Sequence, residues 1–174
     1  MNAKLKICLI GATAVGKSSL LTRFVSSIFR ERYETTIGVT IQMRRVERAG
    51  RHFDLVIWDL SGEDEFQSVQ TAYLRGAAGY LVVIDGTRRE TVDTALHLQA
   101  RAQSVVGDAP FVVVLNKSDL TASWELDASV VDGLERRGWS VVHTSAKTGQ
   151  EVEGAFYRIV DAVLRREEQA PTWT

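Results

Sequence analysis

The amino-acid sequence predicts an α/β fold: a three-layer sandwich with helices on both faces of a six-stranded, mostly parallel sheet. Apolar runs of strand length alternate along the chain with segments whose apolar residues recur at helical spacing, and this alternation is typical of such sheets. Only a short turn around Gly50 separates the second run from the third, which predicts a hairpin and therefore one antiparallel strand. The 174 residues fit one domain, residues 1–174, with a short tail over residues 168–174.

The individual elements follow from these periods. The expected strands cover residues 5–10, 39–43, 53–58, 80–84, 111–115 and 139–142. The expected helices cover residues 17–29, 66–74, 92–105, 124–137 and 152–168, the last with an exposed end at residues 165–168. Residues 30–38 and 59–65 are polar and follow neither period, so both are predicted to be loops. Ligands of such folds bind beyond the carboxyl ends of the strands, where we expect the polar clusters described next to lie.

The segment GATAVGKS at residues 11–18 follows the first strand and opens the first helix. This context favours a phosphate-binding loop over a chance glycine-rich turn. Gly11 and Gly16 permit backbone turns that a Cβ would resist, and successive N–H groups then converge on an anion at the positive end of a helix. Lys17 can reach β- and γ-phosphate oxygens, and the Ser18 hydroxyl can bind the Mg²⁺ that bridges them.

Composition and charge exclude several other classes of protein. Hydrophobic residues make up 45% of the chain and charged residues 25%, which is typical of a globular protein rather than a disordered one. With a net charge of -1, the chain lacks the positive electrostatic field that is typical of nucleic-acid-binding proteins, so no nucleic-acid partner is expected. We also expect no membrane span, signal peptide or direct lipid anchor, because the sequence shows none of their signals. The single cysteine, Cys8, favours a reducing, cytoplasmic setting.

Two polar clusters follow the last two predicted strands. In NKSD at residues 116–119, a rigid Asp119 carboxylate can accept hydrogen bonds from the N1–H and 2-amino groups of guanine, a donor pair that adenine lacks. In TSAK at residues 144–147, the Ala146 N–H can meet guanine O6 and the Lys147 stem can flank the base. The alternative for the first cluster alone is a simple turn, since Asn, Ser and Asp all favour turns. Both clusters together with a phosphate loop favour guanine-nucleotide binding.

With these motifs in order along residues 4–166, the chain resembles the small GTPases of the Ras superfamily. Within that superfamily its sequence most resembles Rab-type members. The resemblance rests on the phosphate loop, TIG at residues 36–38, WDLSG at 58–62, NKSD at 116–119 and SAK at 145–147. It implies a P-loop NTPase fold and a small monomeric GTPase that binds GTP and GDP, uses Mg²⁺ and hydrolyses GTP to GDP and phosphate. It also implies protein effectors, an exchange factor and a GTPase-activating protein as partners.

The resemblance assigns roles residue by residue. Thr36 and Gly62 would contact the γ-phosphate from two switch loops, residues 30–38 and 59–70, which relax after hydrolysis and so report nucleotide state to partners. The implied Mg²⁺ ligands are Ser18, Thr36 and Asp59, the last through water. The implied catalytic residues are Lys17, Thr36, Gly62 and Glu63. The implied nucleotide-binding residues are Ala14, Val15, Gly16, Lys17, Ser18, Ser19, Phe29, Thr36, Gly62, Asn116, Lys117, Asp119, Ser145, Ala146 and Lys147.

The sequence departs from the family beside the second switch glycine, where most relatives place Gln to orient the attacking water and this chain has Glu63. An ionised Glu accepts but cannot donate a hydrogen bond, and it would face a highly charged triphosphate, which predicts slow intrinsic hydrolysis. Two alternatives stay open: Glu63 has a raised pKa and accepts a proton, or it is a solvated carboxylate without a catalytic role. The corresponding alternative function is a GTP-gated binding module with negligible hydrolysis. A kinase-like, ATP-dependent enzyme conflicts with Asp119.

Several other residues carry two interpretations. Phe29 packs against the guanine ring or ends the core face of the first helix. Trp58 lies where the family meets effectors, but it can equally be a packing residue on the hairpin. Thr13 adds bulk near the point where an arginine from a partner would enter. Arg30 and Arg32 supply positive charge in cis or are solvated surface residues, and the second interpretation is favoured because neither stands at a catalytic spacing.

Overall fold

The computed structural model of the protein describes residues 3–26, 31–34, 39–60 and 72–170. Within these residues one sheet of seven strands has the order β2-β3-β4-β1-β5-β6-β7. The strands are β1 (Ala3–Gly11), β2 (Glu31–Glu34), β3 (Thr40–Arg48), β4 (Arg51–Asp59), β5 (Gly79–Asp85), β6 (Phe111–Asn116) and β7 (Val141–His143).

The strand directions match the predicted fold class. The neighbours from β4 through β1, β5 and β6 to β7 pair in parallel, whereas β3 runs antiparallel to both β2 and β4. The predicted β3–β4 hairpin turns at Ala49 and Gly50, whose φ angles of 52° and 70° suit the tight turns that join twisted antiparallel strands. The α/β class with a mostly parallel sheet and one antiparallel strand is therefore confirmed.

Helices cover both faces of the sheet. They are α1 (Lys17–Val25), α2 (Glu90–Val106), α3 (Ala128–Arg136) and α4 (Val152–Gln169), and residues 72–74 are also helical. One hydrophobic core holds α1 and α4 against the sheet, and a second holds α2 and α3. Strand alternation divides β1 between them, because Ile7 and Leu9 enter the first core while Cys8 and Ile10 enter the second. This three-layer arrangement leaves the carboxyl ends of the parallel strands along one edge.

Residues 31–34 form the edge strand β2 in a segment that we predicted to be a loop. They pair with β3 in the register Glu31↔Met43 to Glu34↔Thr40. An edge strand is held by main-chain hydrogen bonds on one side only, so its formation does not require an apolar period in the sequence. The prediction failed because it looked for that period.

Two helix boundaries differ from the prediction by about one turn. Helix α1 ends at Val25 rather than near residue 29, and Arg44 of β3 donates to the Phe24 carbonyl in its last turn at 2.5 Å. Helix α3 begins at Ala128 rather than residue 124, because the Asp127 carboxylate accepts a hydrogen bond from the Val130 N–H at 3.2 Å and caps the helix there. The apolar period alone does not locate such caps.

None of the helices in the described ranges is both long enough and apolar enough to cross a bilayer.

Candidate functional site

The phosphate loop, residues 11–18, connects the end of β1 to the start of α1. Neighbouring atoms leave no room for a side chain at either of its two glycines. A Cβ on Gly11 would lie 2.4 Å from the Val83 carbonyl oxygen of β5, and a Cβ on Gly16 would lie 2.2 Å from the Asn116 side-chain nitrogen. Gly16 also has a φ of 101°, a conformation that residues with a Cβ rarely adopt. A larger residue at either position would force the loop away from the strands behind it.

Five successive carbonyl groups of this loop, from residue 11 to residue 15, accept hydrogen bonds from side chains. The donors are Lys17 to Gly11 and Ala12 (both 2.9 Å), Arg88 to Thr13 (2.8 Å), Lys117 to Ala14 (3.0 Å) and Asn116 to Val15 (3.0 Å). The carbonyl oxygens of the loop are thus engaged by the protein itself. Successive N–H groups of a loop held in this way form the kind of concave donor array that binds anions.

Lys17 is almost fully buried, with 4% of its surface exposed. Burial lowers the pKa of its ammonium group; the nearby Asp59 carboxylate opposes this shift and the Arg88 guanidinium adds to it. A buried ammonium group whose charged form is destabilised gains from an anionic partner. The position of Lys17 therefore suits a phosphate contact.

Ser18 and Asp59 are brought into hydrogen-bond contact from the start of α1 and the end of β4. Asp59 is 1% exposed. A hydroxyl and a carboxylate are hard oxygen ligands of the kind Mg²⁺ prefers, and Mg²⁺ is commonly held by one or two protein ligands together with substrate phosphates. The pair fits a Mg²⁺ site, and Thr36, the third ligand that the resemblance implies, lies outside the described residues.

The two predicted base-recognition clusters meet at the ends of β6 and β7. The Asp119 carboxylate accepts a hydrogen bond from the Ser145 hydroxyl at 2.7 Å, and Ser145 itself is fully buried. The Asn116 side-chain oxygen accepts from the Thr144 hydroxyl at 3.1 Å and from the Ala146 N–H at 3.2 Å. The Ala146 N–H, which we predicted to face a guanine oxygen, thus has an intramolecular acceptor in this structure. Lys147 is exposed beside the cluster.

The structure adds Asp85, at the end of β5, to the residues that the sequence analysis singled out. Its carboxylate is 1% exposed and accepts hydrogen bonds from Lys117 at 2.7 Å, Arg88 at 2.9 Å and the Thr87 hydroxyl at 2.6 Å. Burial by itself raises the pKa of Asp85, but these hydrogen bonds outweigh it and lower the pKa to about 2. The available sequence signal was an acidic residue at the carboxyl end of a strand with an arginine three residues later.

Several predicted site residues lie outside the described residues. These are Phe29, Arg30, Thr36, Gly62 and Glu63. Arg32 lies on β2, and Ser19 is exposed on the first turn of α1. The two switch loops predicted at residues 30–38 and 59–70 are therefore described only at their edges.

Trp58 lies half-buried on β4, opposite Ile41 of β3. Its ring centroid is 5.6 Å from that of Tyr73, and the Lys6 ammonium lies 4.0 Å from its centroid. The Trp58 indole nitrogen is buried and has no hydrogen-bond partner among the residues that the structure describes. The ring thus packs on the sheet, as one of its two interpretations requires. Part of the ring is still exposed, so the other interpretation, contact with an effector, stays a prediction.

The layered α/β fold and the phosphate loop at the end of β1 define a class, the P-loop NTPase type of protein. Comparison with known proteins narrows it: the sequence profile described as the Ras family matches residues 6–165. The chain is also similar to the Ras-related protein Rab-4 of Dictyostelium discoideum, with 35% identity over 165 residues, which cover 92% of this chain and 80% of the relative. The chain belongs to the Ras family and is a Rab-like small GTPase.

Proposed function

We propose that this chain forms one guanine-nucleotide-binding unit that works as a molecular switch and hydrolyses GTP slowly to GDP and phosphate. The observation that carries the proposal is the union of two sites at one edge of the sheet. Asn116 and Lys117, which precede Asp119, donate directly to carbonyls of the phosphate loop. A base held at Asp119 and phosphates held at residues 11–18 would therefore belong to the same ligand.

The described residues would divide the work of binding. Asp119, oriented by Ser145, would accept the two hydrogen bonds that guanine offers and adenine does not. Lys17 would leave the carbonyls of Gly11 and Ala12 and donate to phosphate oxygens. Ser18 and Asp59 would hold Mg²⁺, which would neutralise part of the phosphate charge when bound.

The switch itself rests on residues outside the described ranges. Thr36 and Gly62 would hold the γ-phosphate from the two switch loops, and loss of that phosphate would release both loops. Effectors, an exchange factor and a GTPase-activating protein would then recognise one state or the other. A pull-down that compares GDP-loaded with GTP-analogue-loaded protein identifies them. The monomeric state and the cytoplasmic setting expected from the sequence stay predictions.

The rate of hydrolysis depends on Glu63. We expect the parent protein to release phosphate slowly in a single turnover, because an ionised Glu63 cannot donate a hydrogen bond to the attacking water or the γ-phosphate. The variant Glu63→Gln, which restores a donor, should be about 10-fold faster, which is less than the roughly 10²–10⁴-fold of a positioned acid or base because an amide can orient the water but cannot take its proton. Glu63→Ala should stay at the parent rate.

The other outcomes discriminate between the alternatives for Glu63. A fall in rate in both variants would make Glu63 a proton acceptor, and identical rates in all three proteins would remove it from the mechanism. Complete lack of phosphate release by the parent, with tight GTP binding, would favour the second candidate function, the GTP-gated binding module. A partner that supplies an arginine could then still raise the rate, by roughly 10³–10⁵ in related systems.

A further inference from the structure

Asp85 and Arg88 connect the end of β5 to the phosphate loop. The Arg88 guanidinium donates through Nε to the Asp85 carboxylate at 2.9 Å and through Nη2 to the Thr13 carbonyl at 2.8 Å. Lys117 uses its ammonium group in a parallel way, contacting Asp85 at 2.7 Å and the Ala14 carbonyl at 3.0 Å. One buried carboxylate thus holds two cations, and each cation holds one of two successive carbonyls of the loop.

This arrangement matters because packing gives the loop little support at the same two residues. Thr13 and Ala14 are both exposed, and Ala14 has a φ of 59°, a left-handed conformation that is unfavourable for a residue with a Cβ. Such a conformation persists only where contacts with neighbouring residues stabilise it. Among the described residues, Arg88 and Lys117 donate the side-chain hydrogen bonds that hold the Thr13 and Ala14 carbonyls.

Arginine suits this position better than lysine would. Its planar guanidinium carries donors in a fixed fork, so one side chain can serve a carboxylate and a carbonyl at once without losing much freedom for each bond. The Asp85 end of the contact is buried and ionised, which makes it a charge-assisted hydrogen bond of the stronger kind. Arg88 itself is 37% exposed, so it borders the site from the solvent side.

We propose that Arg88 is a positioning residue that fixes the phosphate loop at Thr13, and that Asp85 anchors it, so that the pair slows release of the bound nucleotide. This inference rests on the proposed function, because it concerns the phosphate end of the same guanine-nucleotide site. Arg88 acts on the loop backbone and not on the base, so it affects how tightly phosphates are held and leaves base selection unchanged.

The test measures dissociation of a fluorescent GDP from the full chain, chased with excess unlabelled GDP in Mg²⁺. Arg88→Ala should raise the dissociation rate by about 10-fold, the effect of losing one charge-assisted hydrogen-bond pair. Arg88→Lys should restore only part of this loss, because an ammonium group lacks the fork. The neighbouring Arg89 provides the matched control: its side chain is exposed, and Arg89→Ala should release nucleotide at the parent rate.

A second measurement separates positioning from general destabilisation. The preference for GDP over GMP should fall in Arg88→Ala by about the factor seen in the dissociation rate, while the preference for GDP over ADP stays at the parent value. Should Arg88→Ala fail to fold, Arg88→Gln takes its place with the same expected direction, because its shorter side chain keeps the polar character of the position but neither the charge nor the reach of Nη2 to the Thr13 carbonyl.

Each contrary result has a distinct meaning. Parent-like dissociation in Arg88→Ala, or an equal rise in Arg89→Ala, would overturn the positioning role while leaving the proposed function intact. A loss of GDP-over-ADP preference in Arg88→Ala would also overturn it, because the effect would then act on the base site. A parent protein that binds no guanine nucleotide would overturn the proposed function and this inference together.

Discussion

Asp119→Asn will lower the affinity for GDP by about 100- to 1,000-fold. The carboxylate would accept two hydrogen bonds from guanine, and hydrogen bonds to charged groups contribute about 1.5–3 kcal/mol each. The amide replaces one acceptor by a donor that faces the 2-amino group of the base, so one donor is left unpaired on each side. Ser145 keeps its contact partner in either case, since an amide oxygen can still accept its hydrogen bond.

The affinity change is measured by equilibrium titration with fluorescent GDP. Asp132→Asn is the matched control, because Asp132 is exposed on α3, away from the site, and the same change there should leave the affinity unaltered. A nucleotide with an oxygen in place of the 2-amino group should bind Asp119→Asn better than the parent, because the amide can donate to that oxygen. An Asp119→Asn protein with parent affinity for GDP would count against the assigned base site.

Lys17→Met will lower the affinity for GDP by about 100-fold or more. Methionine keeps an apolar stem of similar length but cannot donate to phosphate oxygens, and removal of one partner from a buried charge pair costs about 3–5 kcal/mol. In the structure Lys17 is buried and donates to two carbonyls of the loop, which its ammonium group would leave to donate to phosphate oxygens of a bound nucleotide.

Isothermal titration with GDP in Mg²⁺ checks this result, with Lys4→Met as the control. Lys4 is exposed on β1, and its replacement removes the same charge from the chain without touching the loop. Equal GDP affinity in the two variants would show that net charge, and not a phosphate contact, is what Lys17 supplies.

The sequence predicted those residues of the candidate site that lie in contiguous motifs. Gly16, Lys17 and Ser18 lie in a single segment between a strand and a helix, and Asp119 lies at the end of a strand, so period and motif together place them at one edge of the sheet. That the described residues meet at this edge follows from parallel topology alone.

The part that could not be predicted depends on contacts between distant segments. Arg88 and Thr13 are 75 positions apart, and nothing in either local sequence indicates that a guanidinium reaches that carbonyl. The acceptor of the Ala146 N–H is set in the same way, by the side chain of Asn116 from a neighbouring strand end. The edge strand β2 was not predicted because main-chain hydrogen bonds to β3 hold it in place. Such bonds impose no alternation of polar and apolar side chains on the sequence.

In the proposed function, one ligand is held by its phosphates at residues 11–18 and selected by its base at Asp119. The most direct test is competition for the site in Mg²⁺, with fluorescent GDP displaced by GDP, GTP, ADP or ATP. We expect the guanosine nucleotides to compete at concentrations about 1,000-fold or more below the adenosine ones, since an adenine base would offer the Asp119 carboxylate no donor pair. Equal competition by guanosine and adenosine nucleotides, or no binding of fluorescent GDP at all, would contradict it.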